Sequence, residues 1–139
     1  VRGGGRLLVY RLDGDAEPLP PPPPAPPRSL PPPPPPSSPA SERAIDRGAS
    51  TFSEHCAACH GVGAVGGGVT PDLRFMAPST RSAFAAIVLG GALQPRGMPS
   101  FAGVLEPADL RAIRLYLAKR AHAAVSDTKH APAEEPTDP

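Results

Sequence analysis

Apolar side chains recur every three or four positions in three stretches of the second half of the chain, and this spacing predicts three amphipathic helices. The first predicted helix begins at an N-cap on Ser41 and continues to Ala58. One face of this helix carries Ile45, Gly48, Phe52 and Cys56. The pattern therefore indicates a mainly α-helical fold, with a glycine and an aromatic residue on the face of the first helix that packs inward.

Two further helices are expected later in the chain. The second runs from about Thr80 to Leu89, with Ser79 as its cap and Gly90-Gly91 as its terminator. The third runs from about Pro107 to Ala121, with proline at the first helical position. Their inward faces hold Phe84, Ile87 and Val88 in the second helix, and Leu110, Ile113, Tyr116 and Leu117 in the third. The pairing of glycine and aromatic residues predicts a close crossing of the first and third helices, and ordinary amphipathic packing would give a similar composition.

The N-terminal part of the chain follows different patterns. Residues 1–17 hold a short apolar run that ends at Asp13-Gly14, which predicts one β-strand. A single strand cannot pair its backbone groups, so it is either frayed or, as we expect, the last strand of a sheet that lies upstream. Residues 18–40 are almost all proline and predict a polyproline II spacer without packed contacts. A ligand for a proline-recognising domain is the alternative reading of this segment.

Composition limits the size of the packed domain and the class of partner. The chain has 139 residues, of which 23 are proline and 14 are glycine, so the globular part is shorter than the chain. We assign residues 41–125 to one domain and residues 126–139, which are polar and aperiodic, to a disordered tail. A formal net charge of +1 gives no reason to expect a nucleic-acid partner. No apolar run reaches the roughly 18 residues that a transmembrane segment needs, and any export signal must lie upstream.

The run Cys56-Ala57-Ala58-Cys59-His60 is the strongest chemical signal in the sequence. Two thiols at this spacing can form thioethers to one porphyrin, and the adjacent histidine then becomes an axial ligand of the iron. Both cysteines of the chain lie in this motif. A thioredoxin-like dithiol would need a preceding strand, and a zinc site would need further ligands at paired spacing. The motif therefore predicts a covalent haem c, with the dithiol and zinc modules as remote alternatives.

A second axial ligand is expected from a later loop, 38 residues after His60. Met98 lies between Gly97 and Pro99, where glycine permits close approach of the backbone and proline restrains the loop. Met76 is expected to fill the core instead. The remaining histidines are His55, His122 and His130, which lie beside the motif or at the end of the last helix. We therefore predict His60 and Met98 as the two iron ligands.

Residues around a haem must orient the axial histidine and balance the negative charge of the haem propionates. A ligand histidine usually donates its second N–H to an acceptor, and the carbonyl of Pro71 is the acceptor we predict for His60. An ordinary loop proline is an equally good reading of Pro71 from spacing alone. For buried haem propionates the nearby cationic candidates are Arg74, Arg81 and Arg96, and an ordinary solvated arginine is the alternative interpretation of each.

Residues 41–125 resemble a class I cytochrome c. The matching positions are Gly48, Phe52, Cys56, Cys59, His60, Pro71, Met98, Ile113 and Tyr116. The resemblance implies about three main helices around one covalently bound haem c, with Pro71 in the proximal loop and Met98 as the distal ligand.

Three segments also resemble the C-terminal cytochrome domain of quinohaemoprotein alcohol dehydrogenases, namely residues 66–74, 87–93 and 97–101. Residues 3–14 are similar to the final strand of the propeller in that family, which precedes a proline-rich linker. The resemblance implies that pyrroloquinoline quinone (PQQ) and calcium bind in a propeller that this chain lacks. The chain departs from the family in its proline-richer linker and in Glu106, where serine or threonine is usual before Pro107.

The expected function is single-electron transfer by the haem, from a PQQ-dependent dehydrogenase domain of the same parent chain to an external acceptor. The acceptor would be a soluble redox protein or a membrane quinone system, and the location would be the bacterial periplasm. The chain alone is expected to oxidise no alcohol. A free-standing periplasmic cytochrome c is the alternative with the same chemistry.

Overall fold

The structure, a computed structural model, describes residues 31–35, 37–67 and 70–130, with side chains as far as Asp127. This part of the chain is mainly helical, and its one β-bridge is the isolated pair Ala102–Leu105. None of the helices in these ranges combines the length and the apolar character that a membrane span requires. The predicted strand in residues 1–17 and most of the proline segment lie outside the described residues.

The first helix, α1, spans Pro39–His55. Its N-cap is Ser38, whose hydroxyl accepts the N–H of Ser41 at 3.1 Å, so the prediction of Ser41 as the cap was wrong. Proline at the first helical position favours this earlier start, because its fixed φ suits a helix and its missing N–H is not needed there. The predicted inward residues Ile45, Gly48 and Phe52 are buried.

The predicted end of the first helix at Ala58 was also wrong. The helix stops at His55, Cys56 takes a non-helical conformation (φ −120°, ψ −31°), and a short helix α2 follows over Ala57–His60. The motif therefore begins at a break between two helices, where the N–H of Cys56 still donates to the carbonyl of Phe52 in α1 at 2.9 Å.

The predicted second helix is two short helices, α3 over Pro78–Ser82 and α4 over Phe84–Val88. They are separated by Ala83 (φ −82°, ψ 6°), and Ala77 rather than Ser79 takes the N-cap position, because Pro78 starts the helix. The inward residues were predicted correctly: Phe84 and Val88 are buried, and Ile87 is half-buried.

The last helix, α5, spans Pro107–His130, beyond the predicted end at Ala121. Residues 126–130 are thus helical and not part of a disordered tail, and residues 131–139 lie outside the described residues. The helix continues because small apolar residues, including the buried Ala124, keep packing inward after the large ones stop. At its start the N–H of Glu106 donates to the carboxylate of Asp109 at 2.9 Å, a cap interaction that does not depend on a serine or threonine at position 106.

Helices α1 and α5 cross closely, as predicted. Gly48 lies against the backbone of Ala112, and the rings of Phe52 and Tyr116 pack with their centroids 5.4 Å apart. The core around this crossing contains Phe52, Ala64, Phe84, Val88, Leu105, Leu110, Ile113 and Leu117. No polar or charged residue is buried in the described part of the chain.

The described end of the proline segment contacts the last helix. The carbonyl oxygen of Pro32 lies 2.6 Å from Nε2 of His122, within hydrogen-bonding distance. The prediction of a rod without packed contacts was therefore wrong at this point. A backbone carbonyl in a proline run has no N–H partner within the run, so it can accept a hydrogen bond from a side chain. The helix α5 is long enough to bring the His122 ring to this carbonyl.

Candidate functional site

The Cys56–His60 turn brings two thiols close together. The N–H groups of Cys59 and His60 both donate to the carbonyl of Cys56, at 3.2 and 2.9 Å, so one helical turn separates the two thiols. Cys56 is half-buried against the core, and Cys59 is exposed. Burial, and secondarily the nearby Cys59, raise the pKa of the Cys56 thiol to about 11. The two predicted attachment residues thus share a turn but differ in access to solvent.

His60 is half-buried at the end of α2, and its Nδ1 atom is buried without a hydrogen-bond partner. Burial lowers the pKa of its imidazole, and the carbonyl of Pro71 opposes this effect. The Pro71 carbonyl is therefore close enough to act on the ring, although no hydrogen bond of normal geometry joins it to Nδ1. A buried ring nitrogen without a partner is unusual in a native protein and indicates a place where a small shift or a bound group completes the contact.

The loop after the motif holds Pro71 beside His60. The hydroxyl of Thr70 donates to the carbonyl of Cys59 at 2.6 Å, and the N–H of Gly66 donates to the carbonyl of His60 at 2.8 Å. A Cβ on Gly66, whose φ is +76°, would lie 2.6 Å from the Thr70 carbonyl oxygen, so only glycine fits this turn. This role of Thr70 was not predicted, and its position before Pro71 is the only signal of it in the sequence.

Met98 approaches the same region from the loop between α4 and α5. It is half-buried, packs against the core and follows Gly97, which is left-handed with φ +91°. Met76 also packs against the core, as predicted for a filling residue. Of the other histidines, His55 lies beside the Phe101 ring at 6.3 Å between centroids, and His122 is engaged by Pro32.

A small cavity of about 30 Å³ connects these predicted site residues. Cys56, His60 and Met98 all line it, although Met98 lies far from the other two in the sequence. The remaining walls are apolar: Phe52, Leu73, Phe84, Val88, Phe101, Ile113 and Leu117. Cys59 and Pro71 are not in its lining.

A larger cavity of about 390 Å³ adjoins the small one, since Leu73, Phe84 and Leu117 belong to both linings. Its cationic residues are Arg74, Arg81, Arg111 and Arg114. Two of the predicted arginines, Arg74 and Arg81, therefore line this cavity, whereas Arg96 is exposed elsewhere. The two arginines of α5 were not predicted, because the sequence does not show which face of a helix borders a cavity. Because the exposed Arg111 and Arg114 line it, this larger cavity opens to solvent. Together the two adjoining cavities offer a place for a large group at the edge of the core.

The residues present fit a haem. The cavity offers a thiol, an imidazole, a thioether and apolar walls, while arginines line the adjoining space. Among the described residues, no three or more histidine, cysteine, aspartate or glutamate side chains cluster as a metal site would require. A zinc site made only of such side chains would need that cluster.

Comparison with known proteins agrees with this chemistry. The family model described as "Cytochrome C oxidase, cbb3-type, subunit III" matches residues 43–117. Cytochrome c550 of Pseudomonas aeruginosa is 37% identical over 78 residues, which are 53% of this chain and 54% of that protein. The family match includes both the Cys56–His60 motif and Met98.

Quinohemoprotein alcohol dehydrogenase ADH IIB of Pseudomonas putida is 42% identical over 120 residues, which cover 86% of this chain and 17% of that protein. The solved structure of quinohemoprotein alcohol dehydrogenase ADHIIG from Pseudomonas putida HK5 matches with a TM-score of 0.69 and 39% identity, over 80% of this chain and 16% of that one. The chain thus spans less than a fifth of these dehydrogenases. It belongs to the cytochrome c family, is homologous to the cytochrome domain of quinohemoprotein alcohol dehydrogenases, and has haem-based electron transfer as its function.

Proposed function

We propose that this domain holds one haem c through thioethers to Cys56 and Cys59, with His60 and Met98 as the axial ligands. The observation that carries the proposal is the shared cavity: a thiol, an imidazole and a thioether from two separate segments of the chain line one apolar space. The exposed position of Cys59 supports it as well, because an attachment point at the rim needs access from outside.

The haem supplies the one-electron chemistry, and the residues of the chain set its conditions. The cavity is lined by apolar side chains that exclude water, among them Phe52, Phe84 and Ile113. Exclusion of water favours a small reorganisation energy on electron transfer. A thioether ligand from Met98 raises the reduction potential relative to a second histidine. When the Pro71 carbonyl accepts a hydrogen bond from Nδ1, it orients the His60 ring. The proton is then fixed on Nδ1, and Nε2 is left free to bind the metal.

We further propose that the electrons come from a dehydrogenase domain of the same parent chain. The alignment with ADH IIB extends over 86% of this chain, more than the cytochrome domain alone, which supports a shared arrangement of linker and domain. In that arrangement PQQ and calcium belong to the dehydrogenase domain, the location is the periplasm, and a soluble redox protein or a membrane quinone accepts the electron. A relative of Komagataeibacter europaeus named "Alcohol dehydrogenase (quinone), dehydrogenase subunit" favours the quinone.

The test is a spectrum of the chain produced in cells that attach haem c. We expect one haem per chain, a sharp α-band on reduction, and haem that stays with the polypeptide after denaturation. Double replacement of Cys56 and Cys59 by alanine should abolish the covalent attachment. A colourless protein, or haem that is extracted by denaturant, would overturn the proposal.

The electron donor is tested separately. The chain alone should oxidise no alcohol with a dye acceptor, whereas the parent protein should reduce its own haem when alcohol is added. Alcohol oxidation by the chain alone would contradict the assignment of that reaction to the dehydrogenase domain. The second candidate function is a free-standing electron carrier, which the similarity to cytochrome c550 favours. A parent protein without a dehydrogenase domain would support this candidate instead.

A further inference from the structure

The loop that carries Met98 starts and ends at the same point of the fold. It leaves the C-terminal end of α4 after Leu89 and returns there at Ser100 and Phe101. The hydroxyl of Ser100 donates to the carbonyl of Leu89 at 2.5 Å, and the N–H of Phe101 donates to the carbonyl of Val88 at 2.8 Å. The Ser100 hydroxyl also accepts the N–H of Ala102 at 3.2 Å. The loop is therefore closed by two adjacent hydrogen bonds.

These bonds are made to groups that a helix leaves unpaired. The last four carbonyls of an α-helix have no partner within the helix, and those of Val88 and Leu89 lie at this end of α4. The returning loop supplies partners for both of them. The same helix contributes Phe84 and Val88 to the cavity that Met98 lines. The C-terminal end of α4 thus fixes both a wall of the cavity and the return of the methionine loop.

The ties of Met98 itself are weaker. Its N–H donates to the carbonyl of Leu93 at 3.3 Å, a long bond that lies within the loop. Its neighbours Gly97 and Pro99 are both exposed. The position of the methionine relative to the cavity therefore depends on how firmly the loop is attached just after it, at Ser100 and Phe101.

We infer that Ser100 is a positioning residue that holds the Met98 thioether in the cavity through its hydrogen bond to Leu89. This inference rests on the proposed ligation by Met98 and extends it. Loss of the hydroxyl leaves the Leu89 carbonyl without this partner, and it lets the loop move away from α4 more often. Met98 then spends more time out of the cavity.

The experiment measures how readily added imidazole replaces Met98 in the oxidised haem protein. Imidazole can bind only while the methionine is away, so its apparent affinity scales with the fraction of protein in that state. We expect Ser100→Ala to raise the apparent imidazole affinity about fivefold, because the loss of one ordinary hydrogen bond changes an equilibrium constant by about this factor. Absorbance follows the loss of the methionine-to-iron charge-transfer band.

Ser82→Ala is the matched control, because Ser82 also donates one hydroxyl bond to a backbone carbonyl, that of Pro78 at 3.1 Å, but lies in α3. Its imidazole affinity should equal that of the unaltered protein. If Ser100→Ala also leaves the affinity unchanged, or if Ser82→Ala raises it equally, the role of Ser100 is refuted while Met98 remains the ligand. If the unaltered protein shows no methionine-to-iron band, the proposed ligation fails, and this inference fails with it.

Discussion

Gly48 of α1 lies directly against the backbone carbonyl of Ala112 in α5. A Cβ built on Gly48 would overlap that carbonyl group and would lie 2.9 Å from the nitrogen of Ile113. The two helices therefore meet main chain to main chain, and this close approach allows Phe52 and Ile113 to reach the cavity from either side.

Gly48→Ala should destabilise the haem protein, because neither backbone can move without disturbing the crossing. We expect a loss of roughly 1–3 kcal/mol in the free energy of unfolding, measured by denaturant titration. Gly67→Ala is the matched control, since a Cβ at Gly67 meets nothing within 4 Å. Equal stability of the two variants would contradict the close crossing.

Met98→Leu should remove the methionine-to-iron charge-transfer band and lower the reduction potential, because leucine fills the space but offers no sulfur to the iron. Met76→Leu is the control, since Met76 packs against the same core but lines the larger cavity. Its band and potential should be unchanged. A band that persists in Met98→Leu and disappears in Met76→Leu would reverse the assignment of the ligand.

In the chain produced without haem attachment, Cys59 should react with iodoacetamide faster than Cys56. With a pKa of about 11 against the ordinary 9.0, the Cys56 thiol stays protonated at neutral pH, and its thiolate fraction is roughly 100-fold below that of an ordinary thiol. Peptide mass spectrometry over time gives both rates, and raising the pH toward 11 should narrow the difference. Equal rates at pH 7 would show that Cys56 is not buried in the haem-free chain.

His122→Leu should release the end of the proline segment from α5, because it removes the ring nitrogen that contacts the Pro32 carbonyl. Carbon-detected NMR of the haem protein should then give a Pro32 carbonyl shift equal to that of a free proline-rich peptide. His122→Gln is the control, since its amide can still donate and should largely keep the shift of the unaltered protein. If the unaltered protein already shows the peptide value, the contact does not form in solution.

Periodicity predicted the helical class and the inward residues, because hydrophobic burial leaves a repeating pattern in the sequence. Ile45, Phe52, Phe84 and Ile113 were all identified in this way and are buried. Helix boundaries were predicted less well. Proline at positions 39 and 78 starts helices earlier than the serines chosen as caps, and alanine-rich turns extend α5 without a strong apolar signal.

The spacing Cys56-x-x-Cys59-His60 by itself predicted a haem c, since thioether attachment and axial ligation would need those atoms within one turn of chain. Only the tertiary structure decided which distant groups face the motif. It placed Met98 on the same cavity, left Nδ1 of His60 unpaired near Pro71, and closed the methionine loop through Ser100. Such contacts depend on how the helices cross and where loops return, and hydrogen bonds between residues distant in sequence leave no periodic trace in it.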